Sequence, residues 1–347
     1  MVGLADRIMG DHLDIGRHLA VETAGGWFDQ NLWEDLASAG LLGIALAADV
    51  GGSGLDVVAL ALLLGVQGSH VAPVPLLPSS VAAVIVDRHG SHEQRHRLLP
   101  DVATGGCILT VAVQEFLDDR LSQPSVTFKD GLLYGTKVVV EHLDAASLIL
   151  VTVRSPDGPR CVLVDPMAAG IARVEGTSTR RQPLWEVTFE ATPAEPLGDH
   201  TTVSDLLDHL RLGISATQLG VTERALSLTA EYTSTREQFG RPIATFQAVG
   251  QRLADQFVNV GGIRLATFSA AWRLANGEDA TEDLLVSKWW ASERATDVAN
   301  ATQHCHGGIG VAVDYPLHRY TLWNKHLTAS LGAGTQSLRA LGDHLAR

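Results

Sequence analysis

The sequence is poor in sulfur: three cysteines, Cys107, Cys161 and Cys305, and three methionines are spread over 347 residues. Cysteines so few and so scattered cannot frame a domain with disulfides or build a zinc site, and a reducing cytosol is the compartment they suit. Basic residues are also short, 26 Lys and Arg against 39 Asp and Glu, for a net charge of −13. That balance argues against a nucleic-acid backbone as partner. A small anionic ligand stays open, because a local arginine cluster can act against the global field. No apolar run approaches the roughly 20 residues that span a bilayer. Asp6, Asp11 and Asp14 interrupt the amino terminus, which therefore does not read as a signal peptide. Internal repeats and low-complexity tracts are missing too. What remains is ordinary, 46% apolar and 19% charged residues. Such a chain can bury a large core without staples, in roughly two or three domains.

Read in order, the chain changes its hydrophobic period twice. Residues 1 to about 103 read as helical, with Trp33, Leu36, Ala37, Gly40 and Leu41 on one stripe. Gly51-Gly52-Ser53-Gly54-Leu55 is a turn that opens an apolar helix over about 56–65. It lacks the Lys-Ser/Thr and the βαβ setting of a phosphate loop. Pro73, Pro75 and Pro78 break the chain before a helix over about 79–88, and another starts at Gly90-Ser91 and ends near Leu99-Pro100. From about 104 to 200 the period falls to two. Strands are expected over 107–113, 125–128, 133–140, 147–153, 160–164 and 186–189, with hairpin turns at Asp130-Gly131 and Pro156-Asp157-Gly158. This spacing predicts a small antiparallel barrel or sandwich. Beyond about 201 the helical period returns. Leu206, Leu210, Ile214, Gln218, Val221 and Ala225 form one stripe; Val249, Leu253, Phe257, Val260, Arg264 and Phe268 form the next. With 281–304 and about 314–344 they predict a four-helix bundle. The expected fold is α+β: an N-terminal helical domain (1–103), a β domain (104–200) and a C-terminal four-helix bundle (201–347).

Three landmarks stand in the last region. Arg236-Glu237-Gln238-Phe239-Gly240-Arg241-Pro242 follows a long helix, with Gly240 suited to the left-handed position past a helix end and Pro242 unable to continue it. His306-Gly307-Gly308-Ile309-Gly310 closes a later helix, and Gly332-Ala333-Gly334-Thr335 lies near the end. Each alone reads as a helix stop. In this order and spacing they resemble the carboxy-terminal half of acyl-CoA dehydrogenases, flavin enzymes that desaturate acyl-CoA thioesters. The Gly-Gly-Ser-Gly-Leu turn and the α, β, bundle order extend the resemblance over nearly the whole chain.

The resemblance implies FAD as cofactor, an acyl-CoA substrate, and an electron acceptor such as electron-transfer flavoprotein. In the family a flavin is contacted by residues of its own subunit's β domain and by a second set from the neighbouring subunit. The second set is largely present here. By resemblance Arg236 would pair with the FAD diphosphate, Phe239 would pack beside the cofactor, and Gln247 would hydrogen-bond it. Gly307 and Gly308 would let backbone approach it, and Thr335 would join this set. Where the family usually has Gln three residues before Gly-Gly, this chain has His304, with Gln303 adjacent. His304 and His306 lack the carboxylate or cysteine that would complete a metal site at a usual spacing.

The first set is largely missing. The family's glycine-serine loop, which cradles flavin and CoA, is replaced by Val113-Gln114-Glu115-Phe116-Leu117-Asp118-Asp119. The Trp-Ile-Thr/Ser-Asn that follows Gly-x-Lys is replaced by Val139-Val140-Glu141-His142 after Gly135-Thr136-Lys137-Val138. The two places where the family carries its catalytic glutamate are Leu210 and Ala333 here, so no catalytic residue is expected at either. Glu223 and Glu231 lie on the helix of Leu210 but about 20 and 30 Å along it. Glu115 and Glu141 are the alternative bases. The pattern resembles the small, glutamate-lacking subunits of α2β2 acyl-CoA dehydrogenases of steroid side-chain degradation, which complete the FAD site of a homologous catalytic subunit across the interface. Two other readings stay open: a self-sufficient homo-oligomeric flavoenzyme with a relocated base, and a scaffold that touches no flavin.

Overall fold

The computed structural model describes residues 1–25, 27–118 and 120–346; Asp119, in the replaced loop, lies outside them. Two compact units form. The first holds Ala24–Leu60 and Pro73–Leu210 together with Met1; the second holds Val2–Thr23, Ala61–Ala72 and Arg211–Arg347. The helices before the sheet are α1 (Val2–His12), α2 (Ile15–Ala24), α3 (Gln30–Ser38), α4 (Val57–His70), α5 (Leu76–His89) and α6 (His92–Ala103).

In the first unit, Asp29 caps α3 by accepting from the Leu32 amide at 3.2 Å, which aims Leu32, Trp33 and Leu36 into the core. Ser91 and Gln94 make a reciprocal capping box at the start of α6. That helix runs past the expected stop at Pro100 to Ala103, and the Pro100 carbonyl accepts from Thr104. The glycine-rich turn after α3 closes on itself: the amides of Gly52, Ser53, Gly54 and Leu55 donate to carbonyls of residues 43–47.

Eight strands follow: β1 (Leu109–Ala112), β2 (Thr127–Lys129), β3 (Leu132–Glu141), β4 (Leu148–Ser155), β5 (Gly158–Val164), β6 (Ile171–Thr177), β7 (Pro183–Pro193) and β8 (Glu195–Leu197). They make one mixed sheet in the order β6-β7-β3-β2-β4-β5-β8, with β1 added to β4. The expected antiparallel barrel or sandwich is thus corrected. β1 and β2 both pair parallel to β4, and the described residues form no closed barrel. A parallel pair needs a long crossover, here everything between β1 and β4, and short-strand spacing carries no sign of it. β6 and β8 escaped detection: β6 is an edge strand with almost every residue exposed, so it lacks alternation. Val126, Phe128, Leu133, Val151, Val162, Val187 and Phe189 fill the core of this sheet.

The bundle helices are α7 (Thr202–Thr235), which passes into the second unit at Arg211, and α8 (Gln247–Ala275), α9 (Thr281–His306), α10 (Leu317–Ala329) and α11 (Gly334–Leu345). The expected fourth helix is broken in two, because Leu331 and Gly332 take left-handed φ of 55° and 86°. Leu219, Val260, Ile263, Ala291, Ala295 and Val298 make its core. The backbones of α4 and α7 touch: a Cβ on Gly220 would sit 1.8 Å from the Gly65 carbonyl oxygen. The Lys288 ammonium, fully buried, donates to the Leu327 and Thr328 carbonyls at 3.3 and 3.2 Å and so closes the C-terminal end of α10.

Candidate functional site

The Arg236 segment is sharper than a helix stop. α7 ends at Thr235, and the chain then makes a two-residue antiparallel ribbon, with Arg241 opposite Gln238 and Pro242 opposite Glu237. Phe239 and Gly240 form its turn, with φ of 54° and 76°, so Gly240 is a hairpin residue and not the helix cap expected from sequence. The Ile243 amide closes the corner on the Arg236 carbonyl at 2.8 Å. Phe239 is 93% exposed. A bulky ring held at positive φ and exposed to water costs stability. Its ring edge meets Phe246 at 6.1 Å, and the Arg241 guanidinium lies 4.2 Å over that second ring. Arg236 is exposed, and among the described residues its guanidinium has no carboxylate partner. Gln247 is exposed at the first position of α8.

The second landmark is the end of α9. Gly307 takes φ of 64°, and a Cβ placed on Gly307 or Gly308 meets nothing within 4 Å, so the turn faces open space. The Gln303 amide nitrogen donates to the Gly307 carbonyl at 2.9 Å and fixes the turn. His304 is exposed and lines a polar cleft of about 710 Å³ with Gln251, Arg252, Asn259, Asp297 and Asn300 of α8 and α9. His306 turns the other way. It is buried, with Nδ1 2.9 Å from the Thr302 carbonyl, Nε2 3.0 Å from the Tyr315 hydroxyl, and its ring stacked on Tyr232 at 4.4 Å. Thr335 is exposed in the first turn of α11. Ala333 is the N-cap of that helix, and the Glu293 carboxylate rests against Gly334. Glu223 and Glu231 are paired with Arg264 and Arg224, at 2.7 and 3.2 Å.

In the first unit Leu210 is a core residue, 1% exposed. Glu115, the first alternative base, is fully engaged. It accepts from the Ser125 amide and hydroxyl, from the Val126 amide at 3.1 Å, and from Lys137 Nζ at 2.7 Å. Burial pushes its carboxyl up, but the Lys137, Ser125 and Val126 hydrogen bonds together outweigh it and hold the group below its ordinary value. A general base needs the opposite shift. Glu141, the second alternative, is ion-paired to the buried Arg180. Between them β3 bulges at Val139, which takes φ of 59°. The loop at 114–118 is pinned by a bridge between Glu115 and Asp118, with Leu117 at φ 56° and 92% exposed.

A sequence profile described as acyl-CoA dehydrogenase, C-terminal domain, matches residues 200–344, and one for the N-terminal domain matches 12–106. Acyl-CoA dehydrogenase FadE27 of Mycobacterium tuberculosis is 37% identical over 332 residues, 92% of this chain and 89% of the relative. The chain belongs to the acyl-CoA dehydrogenase family. Among solved structures, a chain of a variant of the Tcur3481-Tcur3483 steroid ACAD superposes with a TM-score of 0.96 at 44% identity, over 99% of this chain and 96% of that one. A chain of the ChsE4-ChsE5 complex from Mycobacterium tuberculosis superposes with a TM-score of 0.95 at 34% identity, over 100% and 96%.

Acyl-CoA dehydrogenases are FAD enzymes, and the two halves of this chain suit that cofactor differently. The bundle side fits a dinucleotide: an unpaired arginine for its diphosphate, an exposed ring, and a glycine turn opening on free space. The sheet side does not fit. Its replaced loop offers no glycine for close backbone approach, and it presents two carboxylates already neutralised by Lys137 and Arg180. Sequence reading set His306 down as a structural or cofactor contact in preference to a metal ligand, but missed its cluster with Tyr232 and Tyr315. The available signal was position: Tyr232 lies one helical turn before Arg236, and His306 directly precedes Gly307.

Proposed function

We propose that this chain is the subunit of a heteromeric acyl-CoA dehydrogenase that completes a flavin site held mainly by its partner, and that its own cleft does not catalyse. Arg236 holds the FAD diphosphate with its fork, Phe239 and Gln247 flank the cofactor, and Gln303, His304, Gly307, Gly308 and Thr335 line its approach. The bound flavin supplies the hydride acceptor for α,β-desaturation of an acyl-CoA; the catalytic glutamate and most of the pocket come from the partner. The observation that carries this reading is the asymmetry between a free, strained corner on the bundle and a closed sheet side.

Two further features support it. Phe257, Val258, Leu265 and Trp272 of α8 are 74%, 69%, 75% and 57% exposed and fall at spacings that share one helix face, an apolar stripe of the kind another chain covers. The likeness to one chain each of two named two-component assemblies, one of them a steroid ACAD, supports a heteromer and a steroid-CoA thioester as substrate. An electron-transfer flavoprotein is the acceptor we expect. The test is Arg236→Ala in the co-purified heteromer, with flavin content read from visible absorbance. Loss of flavin at unchanged oligomer mass supports the reading; unchanged flavin content favours a scaffold and overturns it.

A further inference from the structure

The flavin-facing corner and the glycine turn are separate pieces of chain, and one buried ring joins them. We propose that His306, clasped between Tyr232 and Tyr315, is a positioning residue that fixes the Arg236 corner against the Gly307-Gly308 turn so that both address one dinucleotide. The proposal rests on the flavin reading above.

Each contact has a direction. The Nδ1–H of His306 donates to the Thr302 carbonyl one turn back, at 2.9 Å. That leaves Nε2 with its lone pair, which accepts from the Tyr315 hydroxyl at 3.0 Å. Burial lowers its pKa below the ordinary imidazole value, which keeps the ring neutral near pH 7 in that one tautomer and orientation. Its face lies on Tyr232 at 4.4 Å and 17° from parallel, while the Tyr232 ring meets Tyr315 nearly edge-on at 6.3 Å. Tyr232 belongs to the last turn of α7, and its carbonyl accepts from the Arg236 amide at 2.8 Å. His306 is the last residue of α9, and Gly307 follows directly. Tyr315 stands two residues before α10. One ring thus ties together the ends of three helices, two of which carry the ligand-facing groups.

The physical need is evident from what surrounds the clasp. Among the described residues Arg236 has no ion pair, and the two glycines restrict their backbone least of all residues. Unanchored, each would lose its freedom only on binding, at a cost to affinity. The clasp removes that cost beforehand without touching the ligand.

The experiment uses the flavin-loaded heteromer and measures the rate of FAD release on dilution by recovery of flavin fluorescence, beside the melting midpoint and mass of the apo heteromer. Four variants are compared: His306→Ala, His306→Phe, Tyr315→Phe and Arg236→Ala. His306→Ala removes stack and hydrogen bond and is expected to speed release about tenfold. His306→Phe keeps a stacking ring and is expected to recover most of that loss, with the apo melting midpoint within about 2 °C of the parent. A release rate at the parent value in His306→Ala, while Arg236→Ala releases faster, overturns the clasp and leaves the flavin reading intact. Unchanged release in Arg236→Ala overturns both. Should His306→Ala fail to assemble, Tyr315→Phe and His306→Phe decide: faster release in Tyr315→Phe supports the clasp, and parent rates in both overturn it.

Discussion

Replacing Lys137 by Met tests whether Glu115 is a structural anchor or a displaced base. The Lys137 side chain is fully buried and that of Glu115 is 8% exposed, so water can replace neither partner. Nζ reaches Glu115 at 2.7 Å, Thr152 Oγ1 at 3.0 Å and the Val113 carbonyl at 3.5 Å. Lys137→Met leaves the carboxylate buried with only the Ser125 and Val126 donors, and breaking one side of a buried pair costs about 3–5 kcal/mol. Glu115→Gln strands the ammonium and is expected to cost a similar amount. The double variant Lys137→Met/Glu115→Gln removes both charges and should recover at least about 1–2 kcal/mol of the sum. The sign of the pH dependence gives a second check. In the parent the Glu115 carboxyl lies below its ordinary value, so its stabilisation is present above the unfolded pKa and is lost as pH falls. In Lys137→Met burial is opposed only by the Ser125 and Val126 donors, so the carboxyl rises from its position in the parent. The variant's stability then falls less steeply on acidification than that of the parent. Denaturant unfolding between pH 4 and 8, followed by circular dichroism, reads both effects. Single variants that cost under about 1 kcal/mol, additive costs in the double variant, or an unchanged pH slope would refute the anchor role.

Two other outcomes follow from the structure. Burial, with Arg319 adding to it, lowers the His18 pKa from 6.5 to about 4. The unfolded chain therefore binds the proton more readily between those values, and stability falls by up to about 3 kcal/mol as pH drops through that window; His18→Gln should flatten the slope of melting midpoint against pH there, and a parallel slope would count against it. Phe239→Gly relieves the positive φ and should stabilise the apo chain by about 1 kcal/mol while lowering flavin retention in the heteromer; a loss of apo stability, or full retention, would show that the ring serves folding instead.

Helices were the most legible part of the fold because their apolar stripes and caps lie in local sequence. The helix start at Ser91 and the α7 stripe both act where spacing puts them. The Asp130-Gly131 hairpin was legible for the same reason. Strand pairing was not. The parallel contacts of β1 and β2 with β4 depend on partners far along the chain, and edge strand β6 buries too little to alternate. At the candidate site, the residue types at Arg236, Gly307 and Ala333 were visible, but their conformations were not. Gly240 looked like a helix cap because nothing local announces that Phe239 shares its left-handed turn. Likewise Glu115 and Glu141 looked available until Lys137 and Arg180 were seen to hold them.

The most direct measurement is the number of flavins in the intact assembly. The chain is co-purified with the acyl-CoA dehydrogenase subunit proposed as its partner, the assembly is quantified by mass, and FAD is counted after release. A subunit that completes a neighbour's site and leaves its own sheet side empty gives one FAD per heterodimer. Two per heterodimer, or a yellow, acyl-CoA-bleachable preparation of this chain alone, would contradict it.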